Sequence, residues 1–200
     1  MITIESPSMV VNDSNANQAF RMDVTLDVHS STPMETIAKK IVNAANKQPE
    51  GKFKNLVLTA HGRPGHFFLG TGLNINTMAP FYILNGKVDK IWFRGCLVGR
   101  IVGPATSGQG DGAALAACGF TDGNGHAFLS AFAVLTGAYI VAPTEFQSSL
   151  HRLYPRGRLD SYEGLVLSYN PEGNVSWRRR YPSLYNYSSD GSRAMNPNGE

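Results

Sequence analysis

The sequence predicts an α/β fold in which helices pack on a mainly parallel central β-sheet. Short apolar runs typical of buried strands alternate along the chain with segments of helical periodicity. Parallel neighbouring strands need crossover connections, and helices usually supply them. Near the C-terminus the pattern changes to two strands separated by a turn, at residues 165–169 and 175–177. We therefore expect the sheet to end in a hairpin.

The chain of 200 residues has the length of one domain. Hydrophobic residues make up 42% of it and charged residues 16%, so it can bury enough apolar surface to fold alone. Residues 1–19 contain Ser, Asn, Pro and Asp among a few aliphatic residues, which predicts a flexible N-terminal arm with one short strand at most. Residues 181–200 are rich in Tyr, Ser and Asn and predict a surface tail. The folded domain is expected over residues 20–180.

The first half of the domain contains a strand, a helix and a second strand. Residues 20–28 alternate apolar and polar side chains, which is the period of a strand with one buried face. Ser31 or Thr32 can cap a helix that begins near Pro33. Residues 56–60 form an almost continuous apolar run, typical of a central strand covered on both faces.

The second half repeats the alternation. Residues 74–85 predict an irregular helix, because a proline interrupts it, and residues 88–94 predict another core strand. The glycine-rich stretch at 99–125 is expected to be a long functional loop or an insertion with a small helix. Residues 125–137 then predict a helix, and residues 138–142 predict a further strand.

Two of the predicted core strands end at a reactive residue beside a glycine. His61 and Gly62 follow one strand, and Gly95 and Cys96 follow the next. Sites in parallel sheets gather at the carboxyl ends of strands, so His61 and Cys96 would meet if these strands are neighbours. A thiolate is a strong nucleophile, and an imidazole can take its proton or protonate the leaving group. Either residue alone is typical of an ordinary strand end, but the pair favours acyl chemistry.

An acyl-transfer site also needs backbone N–H groups directed at the developing oxyanion. A glycine without Cβ lets the chain approach a substrate closely. The N–H groups of Gly62 and Cys96 are the candidates.

Residues 56–62 (LVLTAHG) and 91–96 (IWFRGC) resemble the histidine–glycine and cysteine blocks of the caspase-like superfamily, clan CD. Residues 128–144 also resemble the segment after the cysteine in bacterial CHAT-like members. The histidine precedes the cysteine, whereas papain-like enzymes have the reverse order. The resemblance covers about residues 20–170 and implies a three-layer α/β/α sandwich.

The resemblance further implies a cysteine endopeptidase that acts through an acyl-enzyme. A bacterial effector or toxin-like protease is one form that such an enzyme could take. His61 would be the general acid/base, Cys96 the nucleophile, and Gly62 with Cys96 the oxyanion donors. Such enzymes cut the peptide bond after a selected residue, termed P1. A basic P1 side chain would need a carboxylate in the pocket, and the acidic candidates are Glu145, Asp111 and Asp122.

Other partners are not indicated. The net charge of +3 is modest and residues 178–180 are the one arginine triplet, so nucleic acid is not an expected partner. No signal peptide and no apolar run of ~20 residues is present, so we expect a protein that is cytoplasmic or secreted without a signal peptide, and not a membrane partner. Cys96 and Cys118 are too few for a disulfide framework. No cofactor or metal is expected, because the His61–His66 spacing matches no common zinc pattern.

Two other functions stay open at this point. A caspase-like fold could serve as a non-catalytic binding or scaffold domain. The same pair could also perform another thiol acyl reaction, as a transferase or an amidase. The complete set of His-Gly and Gly-Cys motifs favours an enzyme, because a scaffold has no physical need for it.

Overall fold

The computed structural model describes residues 1–103, 115–116, 119–148, 154–183, 185–187 and 193–195. Its centre is a seven-stranded sheet of β1 (Ser8–Asp13), β2 (Val24–Val28), β3 (Phe53–Thr59), β4 (Val88–Arg94), β5 (Tyr139–Pro143), β6 (Gly164–Tyr169) and β7 (Val175–Tyr181). The strand order is β7-β6-β5-β4-β3-β1-β2. Strands β1 to β5 are parallel, and β6 and β7 pair antiparallel. A mainly parallel central sheet with a C-terminal hairpin is therefore confirmed.

The helices that join the parallel strands lie on one face of the sheet. They are α1 (Met34–Ala45), α2 (Gly125–Thr136) and a 3-10 helix (Ala79–Leu84). Their buried side chains belong to a single core cluster, in which the rings of Phe81 and Phe132 are 5.4 Å apart. The connections from β2 to β3, β3 to β4 and β4 to β5 all advance in the same direction across the sheet. Right-handed crossovers in one direction place their helices on one face.

Non-helical segments cover the opposite face in the described part of the chain. The β1–β2 connection runs in the other direction across the sheet, so it is expected on this face. Its Phe20 and Met22 are buried with Val10 and Val57. Farther along the sheet, Tyr162 is buried against Val141. The described residues thus form a mixed α/β fold with few helices.

The N-terminal region differs from the predicted flexible arm. Ser8–Asp13 forms an inner strand between β2 and β3, with all six residues buried. Asn12 exchanges two hydrogen bonds with the Phe20 backbone, both of 3.1 Å. Asp13 accepts a hydrogen bond from the Gly70 N–H at 2.8 Å, across 57 positions of sequence. Polar residues can form this buried strand because their hydrogen bonds are satisfied by distant parts of the chain.

Several local predictions agree with the structure, with shifted ends. Asn124 caps α2, since its Oδ1 accepts from the Ala127 N–H at 2.9 Å, and Gly137 ends the helix with a φ of 63°. The irregular helix predicted at 74–85 is the 3-10 helix. The strand predicted from residue 20 begins only at Val24, because the residues before it turn to the opposite face.

The remaining strands are short and lie outside the main sheet. Three two-stranded pairs are formed by Ile2–Thr3 with Arg158–Leu159, by Ile101–Val102 with Gly123–Asn124, and by Tyr185–Tyr187 with Arg193–Met195. A separate three-stranded sheet consists of Gly62–Arg63, His66–Phe67 and Leu73–Asn74. Most of the glycine-rich stretch, including Asp111 and Cys118, lies outside the described residues. No helix among those described has the length and hydrophobicity that a membrane crossing requires.

Candidate active site

A small cavity lies at the carboxyl ends of the parallel strands. Its volume is about 50 Å³, and it is lined by residues 16–18 after β1, 59–61 and 94–96 at the ends of β3 and β4, and 147–148 after β5. The connections after β1 and β3 leave the sheet in opposite directions. Ligands of open parallel sheets bind at such a reversal of strand order.

The structure brings His61 and Cys96 to this one cavity. Strands β3 and β4 are neighbours, and Thr59 pairs with Arg94 at their ends. The Ala60 N–H still donates to the Arg94 carbonyl at 3.2 Å, so the pairing continues to the residue before His61. The His61 side chain is exposed, whereas Cys96 is half-buried. The imidazole and the thiol therefore lie at the same edge of the sheet.

Gly62 and Gly95 allow the two segments to approach closely. A Cβ on Gly62 would lie 2.5 Å from the Cys96 carbonyl oxygen, and one on Gly95 would lie 2.4 Å from the Ala60 carbonyl oxygen. Real Cβ atoms essentially never come closer than 3.0 Å to such atoms. Any larger residue at either position would push the segments that carry His61 and Cys96 apart.

The N–H group of Gly62 is not used by the short hairpin that follows it. Gly62 lies opposite Phe67, and the preceding carbonyl, of His61, accepts from the Phe68 N–H at 2.9 Å. Antiparallel pairs alternate between hydrogen-bonded and non-hydrogen-bonded types, so the Gly62 pair is of the second type. Its N–H consequently points away from the partner strand of this hairpin.

The Cys96 thiol is held by the backbone of Gln147. The Gln147 N–H donates to Sγ at 3.4 Å, and Sγ donates to the Gln147 carbonyl at 3.5 Å. Burial raises the pKa of Cys96, and the charge of Glu163 adds to this, whereas the Gln147 N–H and Arg94 act in the opposite direction. Among the described residues, Sγ forms no hydrogen bond with His61. The resting thiol is therefore neutral and needs a base to become a nucleophile.

The residue after Cys96 has a strained backbone. Leu97 is fully buried and has a φ of 61°, a left-handed conformation that costs a non-glycine residue about 1–2 kcal/mol. Its N–H donates to the Glu145 carbonyl at 3.1 Å, and the Gly99 N–H donates to the Pro143 carbonyl at 2.9 Å. These bonds to the end of β5 hold a sharp turn directly after the thiol. Such strain concentrates at functional sites.

Arg94 is a buried cation in the cavity wall that the sequence analysis did not single out. Its side chain is 2% exposed and forms an ion pair with Asp160, and its Cζ lies 4.3 Å from the centre of the Tyr162 ring. Its Nε and Nη1, like the Thr59 Oγ1 beside it, have no hydrogen-bond partner among the described residues. The available signal was a charged residue at the end of a strand predicted to be buried, since such residues are seldom buried unless paired.

The predicted acidic residues do not line the cavity. The Glu145 carboxylate accepts from Arg180 Nη1 at 2.7 Å and from the Leu165 N–H at 3.1 Å. Asp122 is exposed and lies elsewhere, and Asp111 is outside the described residues. The residues that line the cavity in the described part of the chain include no carboxylate.

His66 lies outside the cavity and bonds Asn74 instead. Its Nδ1 is 3.2 Å from the Asn74 Nδ2. Burial and the nearby charge of Arg63 lower the pKa of His66. Across the ranges that the structure describes, no three His, Cys, Asp or Glu residues are grouped so as to hold a metal ion.

The fold and the cavity define an α/β protein with a thiol, an imidazole and a guanidinium around one small site. No protein-family model, curated protein or solved structure matches the chain.

Proposed function

We propose that the protein is a cysteine endopeptidase of the caspase-like kind, with His61 and Cys96 as its catalytic pair. The observation that carries the proposal is that both residues line one cavity at the carboxyl ends of the adjacent strands β3 and β4. The mainly parallel sheet and the C-terminal hairpin agree with this proposal. The proposal includes a caspase-like fold, which is a three-layer α/β/α sandwich.

The proposed reaction proceeds through a thioester. His61 takes the proton of Cys96 while Sγ attacks the carbonyl carbon of the peptide bond. The C–N bond then breaks, and the amine leaves with the proton that His61 returns. His61 next takes a proton from water, which attacks the thioester and releases the carboxylic acid, and Sγ recovers its proton. The N–H groups of Gly62 and Cys96 would donate to the oxyanion at both steps.

Because the pKa of Cys96 is raised, the thiol keeps its proton in the resting protein. His61 then takes this proton while Sγ attacks the substrate, and no thiolate is formed beforehand. The exposed imidazole of His61 is free to change rotamer, which exposed side chains do within nanoseconds. Catalytic hydrogen bonds are often long or absent in resting enzymes and form with the substrate. The bond between Sγ and Gln147 is then a resting contact that an incoming peptide replaces.

A peptide library cleaved by wild type, Cys96→Ala and His61→Ala tests the proposal. Both variants should lose turnover by on the order of 10³-fold or more, because each removes a member of one catalytic unit. His66→Gln is the matched control, since it changes a nearby histidine that does not line the cavity, and it should retain turnover. Turnover that persists in Cys96→Ala would defeat the assignment.

A non-catalytic binding domain is the second candidate, because the resting Sγ bonds Gln147 and not His61. Alkylation by iodoacetamide, read by mass spectrometry at Cys96 and Cys118, separates the two. Modification of Cys96 that falls in His61→Ala supports the enzyme. Equally slow modification of both cysteines, unchanged by that substitution, supports the binding domain.

A further inference from the structure

We infer that Gln147 is a positioning residue that keeps the Cys96 thiol protonated and bound to the backbone in the resting protein. Its side chain is tied to Glu163, the residue before β6, and thereby fixes the backbone groups that hold Sγ. For catalysis the inference rests on the proposed function, in which a substrate must draw the thiol from this contact towards His61. As a restraint on the reactivity of the thiol it can be measured without a substrate.

The side-chain amide of Gln147 takes the place of a strand partner beside β6. Its Nε2 donates to the Glu163 carbonyl at 2.9 Å, and its Oε1 accepts from the Glu163 N–H at 3.0 Å. Two residues on antiparallel strands exchange the same pair of bonds. Nε2 also lies 3.1 Å from the carbonyl oxygen of Glu145 and 3.0 Å from that of Phe146. The amide is therefore bonded at both its nitrogen and its oxygen, and it cannot turn without breaking several bonds.

The two peptide units on either side of the Gln147 Cα each form one of the bonds to the thiol. The N–H that donates to Sγ belongs to the unit shared with Phe146, whose carbonyl accepts from the Gln147 side chain. The carbonyl that accepts from Sγ belongs to the unit shared with Ser148. The N–H of that unit donates to Glu163 Oε1 at 2.7 Å, and the Ser148 hydroxyl donates to the same oxygen. Because the C=O and N–H of a trans peptide point in opposite directions, both units are anchored on the side away from the thiol.

The second of these units links a buried carboxylate to the thiol through one chain of hydrogen bonds. Glu163 is 8% exposed and accepts from the Ser148 N–H, and the carbonyl of the same peptide unit accepts from Sγ. Hydrogen bonds in such a chain polarise one another, so the negative charge at one end makes the carbonyl a stronger acceptor. A stronger acceptor holds the thiol proton more firmly and disfavours the thiolate. Glu163 therefore keeps Cys96 neutral through the backbone as well as through space.

The charged groups around Sγ act in opposite directions. Burial is the largest influence and raises the pKa of Cys96, whereas the bond from the Gln147 N–H lowers it. The charge of Glu163 raises this pKa further, and the charge of Arg94 lowers it. Arg94 is itself paired with Asp160, and the imidazole that lines the cavity is exposed to solvent. Without the charge of Glu163, only burial among these influences would still oppose the thiolate.

Alkylation of Cys96 by iodoacetamide, read by mass spectrometry over a range of pH, tests the inference. Sγ displaces iodide from the methylene carbon of the reagent, and the rate follows the thiolate fraction. In Glu163→Gln the side-chain oxygen can still accept from Ser148, so the variant keeps this contact and loses the charge. We expect the midpoint of the pH profile to fall by about one unit. The rate at pH 7 should rise about three- to tenfold, because the lower nucleophilicity of the thiolate offsets part of the gain.

A second variant, Gln147→Ala, removes the side chain that anchors the segment and keeps its backbone. The rate at Cys96 should rise at least as much as in Glu163→Gln. Gln48→Ala is the matched control, because the Gln48 amide bonds a carbonyl at the end of α1 and does not line the cavity. Its rate at Cys96 should equal that of wild type. Cys118 in the same molecules reports general loosening of the fold, and its rate should be the same in all four proteins.

A rate at Cys96 in Gln147→Ala that equals or falls below the wild-type rate would overturn the inference, because Gln147 would then leave the thiol unrestrained or activate it. If Cys118 also reacts faster in that variant, the substitution has loosened the whole fold and Glu163→Gln decides. A wild-type pH midpoint in Glu163→Gln, with an unchanged thermal unfolding midpoint, would then refute the restraint.

The restraint and the peptidase can fail separately. Peptide turnover that survives in Cys96→Ala would refute the peptidase, whereas faster alkylation in both variants would still establish the restraint. If cleavage depends on Cys96, Glu163→Gln should raise kcat/KM for the best library peptide about two- to fivefold, since the resting contact is easier to break. Cleavage that depends on Cys96, with kcat/KM and alkylation rates unchanged in Glu163→Gln and Gln147→Ala, would refute the restraint and leave the peptidase standing.

Discussion

Replacing Gly62 by alanine should push the two reactive segments apart. The added Cβ would lie 2.5 Å from the Cys96 carbonyl oxygen and 2.9 Å from Val98 Cγ2. Relief of the first contact to the 3.0–3.4 Å of a tight Cβ contact requires a shift of about 0.5–0.9 Å. Overpacking of this kind costs about 1–3 kcal/mol of unfolding free energy. A misplacement near 1 Å in a catalytic site costs on the order of 10²-fold in rate.

Two measurements test the effect of Gly62→Ala. Urea unfolding should show the lower stability, and cleavage of the best library peptide should fall by roughly 10- to 100-fold. Gly103→Ala is the matched control, because a methyl at that position meets no atom of the described residues within 4 Å. If Gly62→Ala unfolds and reacts like Gly103→Ala, the close approach of the two segments is refuted.

Three further predictions concern other groups. Because burial raises the pKa of Cys96, its alkylation by iodoacetamide should rise only above the pH range of an ordinary thiol; a plateau between pH 5 and 7 would instead indicate a preformed thiolate–imidazolium pair. Burial and Arg63 lower the pKa of His66 below 6.5, so the unfolded chain binds this proton more readily; stability should be complete above pH 6.5 and fall as the pH drops below it. The unfolding free energy, measured by urea titration at several pH values from 5 to 8, should depend less steeply on pH in His66→Gln than in wild type. An equal pH dependence in the two proteins would show that His66 is not the responsible group. Asn124→Ala should lower the unfolding free energy by about 0.5–2 kcal/mol through loss of the α2 cap, and Asn124→Asp should restore most of it.

Local patterns predicted the elements whose stability depends on local periodicity. The helix α1, the apolar strands β3 and β4, and the hairpin of β6 and β7 occur where the spacing of apolar residues indicates them. Because both strands are parallel and central, the positions of His61 and Cys96 at their ends also followed from the sequence. The meeting of these residues depended on one further fact, that β3 and β4 are neighbours.

The strand β1 could not be predicted in this way. Its polar residues have the composition of a loop, and they tolerate burial only because their partners come from elsewhere. Ser8 bonds Asp23, and Asp13 accepts from the N–H of Gly70. Neither partner can be identified from the pattern of the segment itself.

The sequence by itself determined the alternation of strands and helices and the reactive residues at two strand ends, because both depend on neighbours along the chain. Only the tertiary structure decided which charges surround them. The strand register places Arg94 opposite Thr59. Asp160 forms an ion pair with the Arg94 guanidinium, and Glu145 forms one with Arg180 instead of lining the cavity. These partners are distant in sequence, and burial sets the strength of each contact, so no spacing along the chain encodes them.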